Sequence, residues 1–185
     1  RSSYGPTFDG FESRMLLRWL IGEVADDVRF RLANMLLSRE IQDSFDLVFI
    51  DSPPRQSLGM MNALCASHAV MVPTIADRLS VDAVQVFLER ANRFRSFNPA
   101  LMHMGVVATL TEQEPKLLPR EASAMDLARE SLSRWHGKGG VFRRHVPHLA
   151  SISKSAGRGI GYFEDEKAKS VFDQLGEEVY ASWLE

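Results

Sequence analysis

Apolar residues in the first forty positions recur at helical spacing, at Phe11, Met15 and Trp19 and again at Val28, Leu32, Met35 and Leu36, which predicts one or two helices. The stretch before them, RSSYGPTFDG at 1–10, is rich in turn formers and reads as a loop or linker. At 45–50 the period changes. FDLVFI is a short apolar run with the aromatic and β-branched character of a strand buried on both faces. SLGMMNALCASH then predicts a short helix and AVMVP a second buried strand. Ser80 is placed to cap a helix over 81–97, with Asp82 in its positive first turn. Its apolar positions Val84, Phe87, Leu88 and Ala91 share one side. LMHMGVVATL predicts a third strand, with Gly105 marking a close backbone approach. A helix over 121–135, a turn at HGKGG and a fourth strand VFRRHVP follow. The Gly- and Ser-rich stretch 148–163 reads as a loop, and an amphipathic helix over 164–183 closes the chain through Ala168, Val171, Phe172, Leu175, Val179 and Tyr180. Strands alternating with helices predict an α/β fold with a mostly parallel sheet flanked by helices.

Composition narrows the class. The 185 residues suit a single α/β domain, and 45% hydrophobic content, 25% charge and a formal charge of -2 are those of a globular protein with no overall basicity. The one cysteine, Cys65, excludes an internal disulfide and points to a reducing, cytoplasmic setting. No apolar run approaches the ~18 residues of a membrane helix, and no signal-peptide core opens the chain, so no membrane partner is expected. A start at Arg1 instead of Met suggests that residues lie upstream.

In a parallel sheet, ligands gather at the carboxyl ends of the strands. The informative positions are therefore Asp51 with Ser52, Pro53 and Pro54, then 73–77, 109–112 and 147–151. An acid at the end of a strand is held rigidly, and two prolines stiffen the loop behind it. Taken alone, Asp51 could equally cap a turn. The five histidines lack the spacing of a zinc site, and Ser52, Ser57 and Cys65 lack a nucleophile elbow. HGKGG does not have the spacing of a phosphate-binding loop.

The segment FDLVFIDSPPRQSLGMMNALCASHAVMVPTIADRLSVDAV resembles the ParA/MinD branch of deviant P-loop ATPases, with Asp46, Asp51, Pro53, Pro54, Asn62, Ala63, Leu64 and Pro73 in step. GVVATL and HVPHLASISKSAGRGIGYF resemble later segments of that family. The resemblance covers 40–183 and implies a three-layer P-loop NTPase-like fold, incomplete at its N-terminal side because no Walker A loop is found in 1–44. The chain then looks like the C-terminal part of a ParA-like ATPase domain.

By the same resemblance, Asp51 is the Walker B acid and holds Mg²⁺ through water, the loop with Ser52, Pro53 and Pro54 senses the γ-phosphate of ATP, and Thr109, Leu110, Pro147 and His148 border the adenine. A homodimer, a ParB-like adaptor and non-specific DNA contact are implied, the last through Arg143, Arg144, Lys154 and Arg158. Two alternatives use the same fold: a nucleotide-free interaction module, and a ligase of the cobyrinic-acid synthase kind.

Overall fold

The computed structural model describes residues 8–52, 56–112, 115–133, 139–155 and 159–184. They divide into two compact units, one of residues up to His68 with Arg93–Leu101, the other of Ala69–Asn92 with Met102 onward.

The first unit is helical. It contains α1 (Phe8–Leu20), α2 (Arg31–Leu36), α3 (Arg39–Ser44) and α4 (Leu58–Ala66). Ser57 caps α4, its hydroxyl oxygen accepting from the Met60 N–H at 3.1 Å. Asn62, on α4, donates to the Val28 carbonyl at 2.9 Å and accepts from the Leu32 N–H at 3.0 Å, so one amide ties the α4 backbone to the entry of α2. Between those contacts Val28 is fully buried. The Arg29 guanidinium stacks 4.8 Å from the Trp19 ring centre and 4.3 Å from that of Phe97, and its charge is met by Asp27 at 2.6 Å. The Arg29 hydrogen bond holds the Asp27 carboxyl below its ordinary range. Asn98 donates to the carbonyls of Leu64 and Ser67, closing the C-terminal end of α4. Cys65 is buried and desolvation pushes its thiol up, consistent with a packing role.

One expectation fails here. Residues 45–50 form no strand, and Phe45, Leu47, Val48 and Phe49 are 59%, 50%, 44% and 73% exposed. An extended segment becomes a strand only by pairing with a neighbour, and no described strand pairs with this one.

The second unit is an α/β layer structure. Its sheet has β1 (Ala69–Ile75) and β2 (Met102–Thr111) in parallel, with β3 (Gly140–Val141) and β4 (Val146–Pro147) both pairing β2 in the same direction. Around it lie α5 (Arg78–Arg93), α6 (Pro119–Leu132), α7 (Ala150–Ser155), α8 (Gly161–Glu164) and α9 (Glu166–Leu184). Alternation along β2 explains the layering. Val106 and Ala108 pack with Val81, Val84 and Leu88 of α5 and with Ala124, Met125 and Ala128 of α6. Val107 packs the other way, with Phe142, Leu175 and Val179. The predicted mostly parallel sheet flanked by helices is therefore present.

Details depart from the sequence pattern for local reasons. Asp77, not Ser80, takes the capping position of α5: its carboxylate accepts from the Ser80 N–H at 2.8 Å and from the Ser80 hydroxyl at 3.0 Å. The helix consequently starts at Arg78, and Asp82 falls beyond its first turn. VFRRHVP is not one strand but two short ladders: Val106 opposes Val141, and Thr109 opposes Val146. The excess residues on the 141–146 side must loop out. Within 148–163, α7 and α8 replace the expected loop.

Gly105 is required by packing. An added Cβ would lie 2.5 Å from the Phe142 ring and 2.9 Å from the Gly140 carbonyl oxygen. Gly105→Ala should lower the unfolding free energy by about 1–3 kcal/mol in urea titrations, the usual cost of overpacking.

His103, buried in β2, has its pKa pushed down to about 4 by desolvation. The folded value lies below the unfolded one, so the unfolded chain binds the extra proton between about pH 6.5 and 4. Stability should fall on acidification through that window by on the order of 3 kcal/mol, and replacing His103 with Gln should flatten the pH dependence of Tm there.

Candidate functional site

Because β1, β2 and β4 run parallel, their carboxyl ends lie on one edge of the sheet, at Ile75, Thr111 and Pro147. Thr109 pairs with Ile75 on one side and Val146 on the other, and its hydroxyl donates to the Thr74 carbonyl at 3.1 Å. The ladder then skips from Thr109 opposite Val146 to Thr111 opposite Pro147. Leu110 is the extra residue. Its φ of 55° is the sole positive value among described non-glycine residues, and its side chain is 53% exposed. A bulge in the left-handed region at the end of a strand re-aims the chain. Pro147 has no N–H to give, so the next donor, His148 N, reaches the Thr111 carbonyl at 2.9 Å. The structure thus brings together Thr109, Leu110, Pro147 and His148, with Pro147 buried and His148 exposed.

Glu121 and His145 hold this edge, and Glu178 braces the loop between β3 and β4. Buried Glu121 accepts from the Glu112 N–H at 2.9 Å and from the Leu118 N–H at 2.8 Å, spanning the loop after β2 with one carboxylate. Its signal was legible in part: Pro119 at the first helical position and Glu121 three residues after Leu118 form half of a capping box. Buried His145 lies 2.7 Å from the Thr111 hydroxyl through Nδ1 and 3.2 Å from the Pro115 carbonyl through Nε2. A carbonyl only accepts, so Nε2 carries a proton. Glu178 of α9 accepts from the Arg143 and Arg144 N–H groups at 2.8 Å each, catching the loop between β3 and β4 where the ladder is broken.

Asp51 and Ser52 belong to the first unit and are exposed. Asp51 pairs with no cation among the described residues. With no strand over 45–50, Asp51 does not stand at a strand end as expected; it is a single exposed carboxylate, and Mg²⁺ takes one or two of these beside substrate phosphates. No group of three or more His, Cys, Asp or Glu with metal-binding proximity occurs among the described residues. Pro53, Pro54 and Arg158 lie outside the described residues. Arg143, Arg144 and Lys154 are exposed, the last in the final turn of α7.

The chain has the architecture of a P-loop NTPase-like α/β protein with strand-end residues gathered on one edge. Residues 20–103 match the AAA domain family AAA_31. Over 163 residues, 86% of the chain, it is 22% identical to the chromosome-partitioning ATPase Soj of Treponema pallidum, and it spans 61% of that relative's length. It is 27% identical over 127 residues to the chromosome partitioning protein ParA of Caulobacter vibrioides, covering 68% of the chain and 45% of ParA. Among solved structures, apo McdA of Cyanothece superposes with a TM-score of 0.69 at 16% identity, over 92% of this chain and 65% of McdA. An ATP complex of McdA gives 0.65 at 16% identity, over 92% and 63%. By sequence the chain is similar to ParA-like partition ATPases, and its fold is that of a P-loop NTPase-like α/β protein. It is similar to these partition proteins over about three fifths of the length of Soj.

His145→Ala should expose the edge to local opening. Both the Thr111 hydroxyl and the Pro115 carbonyl lose the His145 ring, costing about 1 kcal/mol for each hydrogen bond removed. Hydrogen exchange should accelerate selectively at the His148 amide, which bonds the Thr111 carbonyl.

Proposed function

We propose that this chain is the C-terminal part of a ParA-like partition ATPase that works in the cytoplasm. The observation that carries the reading is the meeting of Thr109, Leu110, Pro147 and His148 on the carboxyl edge of a parallel sheet, in a chain whose relatives are partition ATPases. In this reading residues preceding the chain supply the Walker A loop and the P-loop strand. The half-buried β1 pairs only with β2 among described strands, which leaves its other edge open to such a strand.

The residues divide the work by chemistry. Asp51 holds Mg²⁺ through water, and the ion when bound neutralises charge on the phosphates. The loop containing Ser52, Pro53 and Pro54 changes position with the γ-phosphate, its prolines limiting the backbone to few states. The adenine is bordered by the exposed side chain of Leu110, with Thr109 and buried Pro147 shaping the backbone there and His148 at the rim. Glu121 and His145 keep that wall in place without contacting nucleotide. ATP favours a homodimer that a ParB-like adaptor stimulates. Arg143, Arg144, Lys154 and Arg158 provide phosphate contacts to non-specific DNA.

The test is ATP-dependent DNA co-sedimentation of the complete gene product across a salt series. Binding should require ATP and weaken steeply with salt; binding without ATP dependence overturns the reading. Asp51→Asn should reduce ATP turnover by about a hundredfold or more, since metal stabilisation of phosphoryl transfer amounts to several kcal/mol. A fluorescent ATP analogue that fails to bind the complete product would favour a nucleotide-free interaction module.

A further inference from the structure

The amino ends of the strands, opposite the edge just described, carry a cavity of about 350 Å³. Its walls include Met102, His103 and Met104 of β2, Phe142 after β3, and Glu178 and Trp183 of α9. That volume lies within the range of small-ligand sites, which combine apolar walls with a few fixed polar groups.

The charge of the cavity is defined. Glu178 is held in place because each carboxylate oxygen accepts one backbone N–H, from Arg143 and Arg144 at 2.8 Å. Each oxygen retains a further lone-pair site, and no cation pairs with Glu178 among the described residues. His103 is buried and desolvation lowers its pKa to about 4, so at neutral pH it adds no charge. Among the described residues of the lining, Glu178 is thus the one formally charged side chain, beside an indole, a phenyl ring and two thioethers. Aromatic faces and a preorganised carboxylate favour a cation, whereas an anion would meet uncompensated negative charge.

We propose that this cavity binds the guanidinium or ammonium end of an organic cation with a short apolar stem, a chemistry shared by a partner's arginine or lysine side chain and by a free amine.

The test is ¹⁵N NMR of the full chain titrated with agmatine, with the tripeptide acetyl-Gly-Arg-Gly-amide, and with uncharged butylurea. Agmatine or the tripeptide should shift Gly139, Gly140 and the Trp183 indole saturably. Butylurea should bind about tenfold more weakly or less, because a charge-assisted hydrogen bond contributes more than a neutral one. Shifts with the tripeptide assign the site to a side chain, and shifts with agmatine alone assign it to a free amine. Ser182→Lys, an exposed helical position on the rim, places a competing cation beside Glu178 without removing the Glu178 brace. It should weaken agmatine about tenfold, with far-UV circular dichroism checking that the fold is kept. No saturable shifts with either cation, equal affinity for butylurea, or unchanged binding by the Ser182→Lys chain would overturn the proposal.

Discussion

Parallel strands cannot be joined by a tight turn, so β1 and β2 lie side by side only because α5 carries the chain back over one face of the sheet. The remainder of the second unit depends on that pairing. Once β2 is fixed, its alternating residues need cover on both faces: Val106 and Ala108 are sealed by α5 and α6, and Val107 by Leu175 and Val179 of α9. Hydrophobic burial drives each layer. The close approach at Gly105, where the Phe142 ring fills the room a side chain would occupy, lets the third neighbour come near enough to pair.

That third neighbour is interrupted, and the interruption organises the candidate site. Buried backbone groups must find partners, within the ladder or elsewhere. Where the ladder stops between β3 and β4, Glu178 receives the Arg143 and Arg144 N–H groups. Beyond β2, Glu121 receives those of Glu112 and Leu118. Carboxylates here do what a neighbouring strand does elsewhere. His145 joins the two arrangements, because its ring contacts both Thr111 and Pro115. The Leu110 bulge and the Pro147–His148 turn are thereby held in one geometry. Glu178 also lines the cavity at the amino ends of the strands, so an occupant there would act on a residue that braces the broken strand.

Residues 45–50 show the other outcome of strand-like sequence. FDLVFI is as apolar as the centre of β2, yet its side chains are largely exposed and it joins no ladder. Sequence supplies a preference for extended backbone; a strand also needs hydrogen-bonding neighbours on its edges. Helix α4, next along the chain, needs no such partner. Its capping serine and the Asn62 amide secure it within its own unit.

Legibility in the sequence followed the range of the interactions. The periods of α5, α6 and α9, the strands at β1 and β2, and the placing of Thr109, Leu110, Pro147 and His148 at strand ends could be read directly, since each depends on near neighbours or on the direction of a parallel sheet. Spacing could not place the cap at Asp77 over Ser80, because either residue type suits the position and the side-chain geometry chooses. Nor could it find Glu178 or His145, whose partners lie about 30 or more positions away along the chain. Local chemistry and alternation, carried by the order of residues, determined the main helices, the strands β1 and β2 and their parallel class. Tertiary packing alone decided which donors the carboxylates would meet, because those meetings exist only after distant segments have been buried together.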